Sequence, residues 1–172
     1  MPLPSRAELL STGGLYPIPI PFGWKLVGPD GQDEEIPVAS GTTFHRLLAK
    51  GALLAREVDS LTGHPEVMML RHFALQGCVT SAVLEDYAKR TTAALVGQHL
   101  ESRIGASTLV ASPLSAERCG KLVVHRMAPG DSRSEVHYLV TDVVGQGWQL
   151  VYLVRTADLE RWTPLFAELE HD

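Results

Sequence analysis

Three side chains in the C-terminal half of the chain could bind a metal ion or move a proton. His125 lies in the stretch KLVVHRM, His137 lies in EVHYLV, and Asp142 follows a few residues later. Two imidazoles and a carboxylate can ligate zinc, or act as a general base with an orienting group. Either role requires both histidines on the same face of a sheet, in register, so this site is an alternative hypothesis.

The two cysteines are a second place to look for nucleophilic chemistry. Cys119 precedes Gly120 and lies six residues before His125, whereas Cys78 comes shortly before the longest helical stretch. A thiol becomes a nucleophile when a nearby cation or a helix N-terminus lowers its pKa. Cys119 falls in a predicted turn between strands. We therefore expect two buried, unreactive thiols, with a disulfide between Cys78 and Cys119 left open as an alternative.

The chain carries none of the common catalytic or nucleotide-binding motifs. Its stretches GPDG and GQG are typical of turns, and the patterns GxGxxG, GxxxxGK, GxSxG and HExxH do not occur. Such motifs cradle phosphates, present a nucleophile or ligate zinc. Their absence favours a protein that is not an enzyme, and we predict no catalytic residue, no cofactor and no bound metal.

Composition indicates an ordinary folded protein. Of the 172 residues, 45% are hydrophobic and 20% are charged, and 15 basic residues against 20 acidic ones give a net charge of -5. The basic residues are scattered, whereas nucleic-acid binding depends on concentrated positive charge. No stretch resembles a signal peptide or a membrane span. We expect no nucleic-acid partner, no membrane insertion and a bacterial-type cytoplasmic location.

Proline spacing divides the chain into an N-terminal arm, residues 1–22, and a single domain, residues 23–172. The arm ends in YPIPIPFG, where alternating prolines remove every second backbone donor and exclude the segment from the middle of a sheet. We expect an arm laid across the domain, with Ile18, Ile20 and Phe22 buried. A polyproline ligand for an aromatic groove is the alternative.

Hydrophobic periodicity predicts the remaining elements. GWKLV, ALLAREVDS and EVMMLRHFAL are typical of strands, and the last two form a hairpin. Thr42 or Thr43 could cap a short helix that carries Phe44, Leu47 and Leu48, and residues 43–57 as a whole also suit a helix.

A stripe at helical spacing predicts one long helix from about Ser81 to His99, with Thr80 or Ser81 as its N-terminal cap. The residues of the stripe are Leu84, Tyr87, Ala88, Thr91 and Leu95. The closing stretch TADLERWTPLFAEL predicts two short helical turns separated by a kink. Between the long helix and this closing stretch lie four strand-like runs, whose short connections indicate antiparallel pairing: STLVAS, KLVVHRM, SEVHYLVTDVV and GWQLVYLVRT.

The last predicted hairpin is partly apolar on both faces. Trp148 and Leu150 point to one side of the strand, and Val151 and Leu153 point to the other. A sheet with two apolar faces must be covered on both. The predicted fold class is therefore α+β, an antiparallel β-sheet flanked by helices on both faces in an α/β/α sandwich.

Two short stretches, GWKLV and GWQLV, match each other, but the residues around them do not, so a duplication is not indicated. In each stretch a glycine ends a turn and a tryptophan opens a strand. We predict that Trp24 and Trp148 anchor a common core. A pair of ligand-binding tryptophans is the alternative.

The order of these elements resembles the PsbP-like fold, which includes PsbP, the yeast Ran-binding Mog protein and LpqN-type proteins. The resemblance covers about residues 20 to 170 and rests on PFGWKLV, DYAKRTTAAL and WQLVYLVRTADLERWTPLFAEL. Residues 36–55 depart from it, being longer and more helix-like. The resemblance implies a sheet between helices and largely non-enzymatic work, such as docking on a larger complex, assisting assembly or binding a partner protein.

The leading hypothesis is a non-catalytic protein-binding domain: an adaptor, an assembly factor, or a secretion-associated chaperone or immunity protein. We expect it to bind another protein through an exposed sheet edge, the Pro-rich arm or the 28–45 loop. One alternative is a small metal-dependent or hydrolytic enzyme using His125, His137 and Asp142. Another is a structural homo-oligomer subunit whose sheet edges pair.

Overall fold

Antiparallel strands dominate the computed structural model, which describes residues 7, 17–28, 33–34, 44–49, 51–58, 64–75, 77–114 and 118–170. The strands are β1 (Pro17–Pro21), β2 (Trp24–Val27), β3 (Asp33–Glu34), β4 (Phe44–Leu48), β5 (Leu53–Glu57), β6 (Val67–His72), β7 (Glu101–Ala111), β8 (Arg118–Met127), β9 (Arg133–Thr141) and β10 (Gly147–Arg155). The helical elements are α1 (Ser81–Gly97), a 3-10 turn (Thr156–Asp158) and α2 (Thr163–Glu168).

Within the described residues the central sheet has eight strands, in the spatial order β3-β2-β5-β6-β10-β9-β8-β7. Each strand pairs antiparallel with its neighbours. The predicted β5–β6 hairpin and the four predicted strands after the long helix are confirmed. Because β10 pairs with β6, the last strand of the chain lies in the middle of the sheet, beside a strand from the first half.

The two sides of this sheet differ, and we call them the core face and the helix face. Side chains alternate between them along each strand. On β9 and β10 the core face carries Val136, Tyr138, Val140, Trp148, Leu150 and Tyr152. On the same two strands the helix face carries Glu135, His137, Leu139, Gln149, Val151 and Leu153.

The core face is covered chiefly by β1 and β4, which form a separate two-stranded antiparallel sheet. Ile18 and Ile20 of β1 have no exposed surface and belong to one hydrophobic cluster with the core-face residues of the central sheet. Leu165 and Phe166 of α2 belong to the same cluster. This face is thus sealed by two strands and one short helix.

The helix face takes its name from α1, which packs mainly against β7 and β8. At the start of α1 the Thr80 hydroxyl accepts a hydrogen bond of 3.2 Å from the Val83 backbone N–H. The predicted long helix and its cap are confirmed. Neither α1 nor α2 is long and apolar enough to cross a membrane. The buried contacts of α1 form a second hydrophobic cluster, which includes Leu84, Tyr87, Ala88 and Leu95 of the helix and Leu122, Val124 and Leu139 of the sheet.

The predicted helix-flanked α/β/α sandwich is wrong. The described part of the chain is mostly strand, and its two α-helices have 17 and six residues. Strands β1 and β4 lie where a second layer of helices was expected. The short helix predicted through Phe44, Leu47 and Leu48 is also wrong. Residues 44–48 form a strand, because pairing with β1 outweighs intrinsic helix propensity.

The Pro-rich arm forms part of the layer that takes the place of the expected helices. β1 contains Pro17, Pro19 and Pro21, which a strand tolerates when it lies at the edge of a sheet. The predicted burial is confirmed for Ile18 and Ile20 but is wrong for Phe22, which is 42% exposed.

The two tryptophans of the matching GW stretches, Trp24 and Trp148, both lie in the core-face cluster, as predicted. A common anchoring role therefore explains the matching stretches. The predicted GPDG turn and most of the 28–45 loop lie outside the described residues.

Candidate functional site

A cavity lies on the helix face, between α1 and the part of the sheet that α1 does not cover. Its volume is about 520 Å³, and small-molecule sites commonly measure roughly 300–1,000 Å³. One wall comes from α1, and the floor and the opposite wall come from β5, β6, β8, β9 and β10. The cavity has the size of a small-molecule site.

Most of the cavity wall is apolar. Leu54 lies at the rim and is 38% exposed, whereas Leu95 and Val151 are buried deeper in the wall. Apolar walls of this kind favour a ligand with an apolar body. The other apolar side chains that line the cavity are Val67, Met69, Phe73, Ala94 and Leu153.

A continuous chain of hydrogen bonds crosses the floor of the cavity. Arg71 Nε donates to Gln149 Oε1 at 2.5 Å, and Gln149 Nε2 donates to the Tyr87 hydroxyl. The Tyr87 hydroxyl lies 2.7 Å from His137 Nδ1. On the other side of the imidazole, His137 Nε2 lies 2.7 Å from Glu135 Oε1. Side chains from four separate elements are thus joined in one network, which we call the polar chain.

The polar chain has one consistent direction when His137 is neutral. Tyr87 accepts from Gln149 and therefore donates its own proton to His137 Nδ1. His137 then carries its proton on Nε2 and donates it to Glu135. Arg126 closes the chain, because its Nε donates to Glu135 Oε2 at 2.5 Å. Each member of the polar chain has a partner.

Burial and charge determine the protonation of two members. Burial raises the pKa of the Tyr87 hydroxyl to about 12, so Tyr87 remains a hydrogen-bond donor near neutral pH. Burial also raises the pKa of the Glu135 carboxyl, but the hydrogen bond from His137 and the charge and hydrogen bond of Arg126 outweigh it. The pKa of Glu135 therefore lies below its ordinary value, and Glu135 is a carboxylate.

Strand alternation and register bring the polar chain together. Glu135 and His137 are two residues apart on β9 and therefore share a face. Arg71 on β6 is directly opposite Gln149 on β10. Tyr87 comes from the buried side of α1. The site thus depends on the neighbouring positions of β6, β10 and β9, and on the placement of α1 above them.

The two histidines first considered for a metal site lie on opposite faces of the sheet. His125 pairs with Ser134, and both point to the core face, where His125 Nδ1 lies 2.7 Å from the Ser134 hydroxyl. His137 points to the helix face, in the polar chain. The sheet therefore separates the two imidazoles, and they cannot bind the same ion in this structure.

Asp142, the third residue of that set, stabilises the turn between β9 and β10. Its Oδ1 accepts hydrogen bonds of 2.9 Å from the backbone N–H groups of Val144 and Gln146. Its Oδ2 accepts a bond of 2.8 Å from Trp148 Nε1. Asp142 thus holds the hairpin and the core tryptophan. Among the described residues, no group of three or more His, Cys, Asp or Glu side chains could hold a metal ion.

The cysteines do not form a disulfide with each other. Cys119 is buried, as predicted, and burial raises the pKa of its thiol to about 11, which disfavours the thiolate. Cys119 and His125 are six residues apart on the extended strand β8, a separation of about 20 Å. Cys78 is exposed, so the predicted burial is wrong for that residue.

Of the members of the polar chain, only His137 is a candidate site residue in the sequence. Periodicity assigned Tyr87 only to the apolar stripe of α1. One signal was nevertheless available, because Glu135, His137 and Gln149 alternate with apolar residues in strands whose two faces are both expected to be covered. Buried polar side chains require hydrogen-bond partners, so polar residues on a covered face indicate a network.

No protein-family model matches the chain, and no curated protein matches it. The resemblance to PsbP-like proteins therefore stays a prediction. The function has to be inferred from the geometry and chemistry of the site itself, since a fold alone does not determine function.

Proposed function

We propose that this protein binds a small molecule, with an apolar body and a polar head, in the cavity beside α1. The observation that carries the proposal is the polar chain itself, a hydrogen-bonded row of polar side chains at the floor of a cavity with largely apolar walls. The other polar side chains of the lining are Arg90, Thr91, Gln98 and Arg126. A largely apolar pocket with a few convergent polar groups is the general form of a small-molecule site.

Stability alone does not account for the polar chain. Replacing a buried charged network with apolar side chains of similar volume is often neutral or stabilising. The neighbouring part of the helix face is apolar, since Leu122, Val124 and Leu139 pack against α1 there. The polar side chains are concentrated where the cavity lies. This distribution supports a role in orienting a ligand.

Binding of another protein is the second candidate, and the long edge strand β7 favours it. Within the described residues β7 has 11 residues and pairs only with β8. An unpaired edge can accept an added strand from a partner. However, β7 has a bulge between Ile104 and Ala106 and carries charged residues such as Arg103. Natural proteins use both features to prevent edge pairing, so the cavity is the better-supported site.

Two adjacent alanines on α1 allow a direct test of the proposal. Ala94 lines the cavity, whereas Ala93 does not line it, and both side chains are exposed. Ala94→Trp should fill the mouth of the cavity and weaken binding of the neutral dye Nile red at least tenfold. Ala93→Trp should leave the dye affinity unchanged. Both variants should unfold within about 0.5 kcal/mol of the wild type, because exposed substitutions have small effects.

Fluorescence titration measures the dye affinity, and urea denaturation measures stability. Saturable binding at one site, lost in Ala94→Trp and kept in Ala93→Trp, is the expected result. Equal dye affinity in the two variants would place the binding elsewhere and overturn the proposal. Failure of the wild type to bind the dye saturably would also count against it.

A further inference from the structure

The three guanidinium groups that line the cavity are not equally neutralised. Arg126 forms an ion pair with Glu135, and Arg90 forms one of 2.9 Å with Asp86. Arg71 is different. Within the described part of the chain, its hydrogen-bond partner is the neutral amide of Gln149, and no ion pair neutralises it. The cavity therefore has one positive charge in excess.

The positive charge of Arg71 lies at the polar end of a row of side chains on β6 and β10, and the rest of this row is apolar. Arg71 is directly opposite Gln149 in the pairing of β6 with β10. The next two pairs on the same face are Met69 with Val151 and Val67 with Leu153, and all four side chains line the cavity. Two such steps span about 13 Å along the strands. On β6 and β10 the floor thus offers a cation at one end and an apolar track leading away from it. His137 and Glu135 of β9 lie alongside that track.

We infer that the ligand is an amphipathic anion, a medium-chain carboxylic acid. Its carboxylate would be bound by Arg71, and its alkyl chain would lie along Met69, Val151 and Leu153. This inference rests on the proposed function and adds the chemical class of the ligand. A guanidinium group binds a carboxylate through two parallel hydrogen bonds. One uncompensated charge matches a monoanion.

Three observations favour this assignment over a cationic or neutral head group. The carboxylate of the cavity, Glu135, is already bound by Arg126 and His137, so it has little capacity to bind a ligand cation. The Tyr87 hydroxyl is engaged by Gln149 and His137. Arg71 is exposed and keeps guanidinium donors available to a ligand.

The test compares three probes that share one alkyl chain and differ in head group: decanoate, decanol and decyltrimethylammonium. Isothermal titration calorimetry of the wild-type protein should give an affinity for decanoate about tenfold higher than for decanol, because charged hydrogen bonds are stronger than neutral ones. Decyltrimethylammonium should bind most weakly. Arg71→Gln should remove the preference for decanoate, so that decanoate and decanol bind this variant with similar affinity.

Arg90→Gln is the matched control, because it removes another cationic side chain from the cavity lining, one already paired with Asp86. It should keep most of the preference for decanoate, and Arg71→Lys should keep part of it. Arg71 is exposed, so these variants should fold, and circular dichroism would verify this.

The outcomes separate the inference from the proposed function. Equal binding of decanoate and decanol by the wild type, or an unchanged preference in Arg71→Gln, overturns the anion assignment and leaves the cavity as a binding site. A preference for decyltrimethylammonium also overturns it. If none of the three probes binds and Nile red fails as well, the proposed function itself is wrong.

Discussion

The two faces of the central sheet share the same strands and yet differ in character. On the core face, the side chains of β9 and β10 are largely apolar and form one cluster with the layer of β1 and β4. On the helix face, Glu135, His137 and Gln149 are as buried as their core-face neighbours but belong to a hydrogen-bonded chain. Adjacent residues of one strand thus serve a sealed core and a polar cavity floor.

The difference follows from what covers each face. An α-helix with its side chains is about 10–12 Å across, whereas eight strands spaced about 4.8 Å apart make a much wider sheet. One helix, α1, therefore covers little more than β7 and β8. On the other side, the flat pair of β1 and β4, together with α2, covers more of the surface. The cavity lies where the narrower cover ends.

The largest expected effect comes from the core face. Trp148→Ala should lower the free energy of unfolding by about 3–5 kcal/mol, as is typical for truncating a large buried side chain. Trp148 is 3% exposed, and its Nε1 donates to Asp142. Trp148→Phe should lose less unfolding free energy, because phenylalanine keeps a large aromatic ring in the core. Urea denaturation measures both values.

The Trp148→Ala variant also tests whether the two faces are independent. The folded fraction of Trp148→Ala should bind Nile red as the wild type does, since Trp148 points away from the cavity. A variant that unfolds like the wild type contradicts the anchoring role of this tryptophan. Loss of dye binding without loss of stability contradicts the separation of the faces.

The second-largest expected effect is a pH dependence of stability, which arises from a buried carboxyl group at the margin of the core face. Glu66 has no exposed surface, and burial raises its pKa from 4.5 to about 7. Asp158 adds to this rise, and the backbone N–H of Arg155, 2.8 Å from Glu66 Oε2, opposes it. The folded state therefore holds the proton of Glu66 more tightly than the unfolded state does.

This stabilisation is complete below about pH 4.5 and is lost as the pH rises through 7. Between pH 5 and 8 the unfolding free energy of the wild type should fall by at most about 3 kcal/mol from this group. Glu66→Gln should lack this fall, and exposed Glu85→Gln should keep it. Urea denaturation at several pH values measures the three slopes. A fall of equal size in Glu66→Gln contradicts the assignment.

The smallest expected effect is the difference in unfolding free energy lost by two tyrosine variants, one from each face. Tyr87→Phe should cost about 1–3 kcal/mol of unfolding free energy, because it leaves Gln149 and His137 with buried, unpaired polar atoms. Tyr138→Phe removes one hydroxyl on the core face, which donates to the half-buried Glu170 at 3.0 Å. Water can replace that contact, so its cost should be smaller. The reverse order of the two losses would contradict the importance assigned to the polar chain.

Local patterns were sufficient for much of the fold. The stripe of Leu84 and Leu95 and the cap at Thr80 identify α1, because they depend on residues within a few turns of one helix. Alternation likewise identifies which residues of β9 and β10 share a face. The ambiguity over residues 43–57 could not be resolved in this way, because the strand conformation of 44–48 depends on pairing with the distant β1.

The sequence by itself therefore determined the main strands, the long helix and the partition of β9 and β10 into two faces. Only the tertiary structure decided that His125 and His137 lie on opposite sides and that Arg71 meets Gln149, 78 residues away in the chain. It also decided that β1 and β4, rather than a helix, cover the core face. The physical reason is that periodicity is a property of one segment, whereas strand order and coverage depend on the packing of the whole chain.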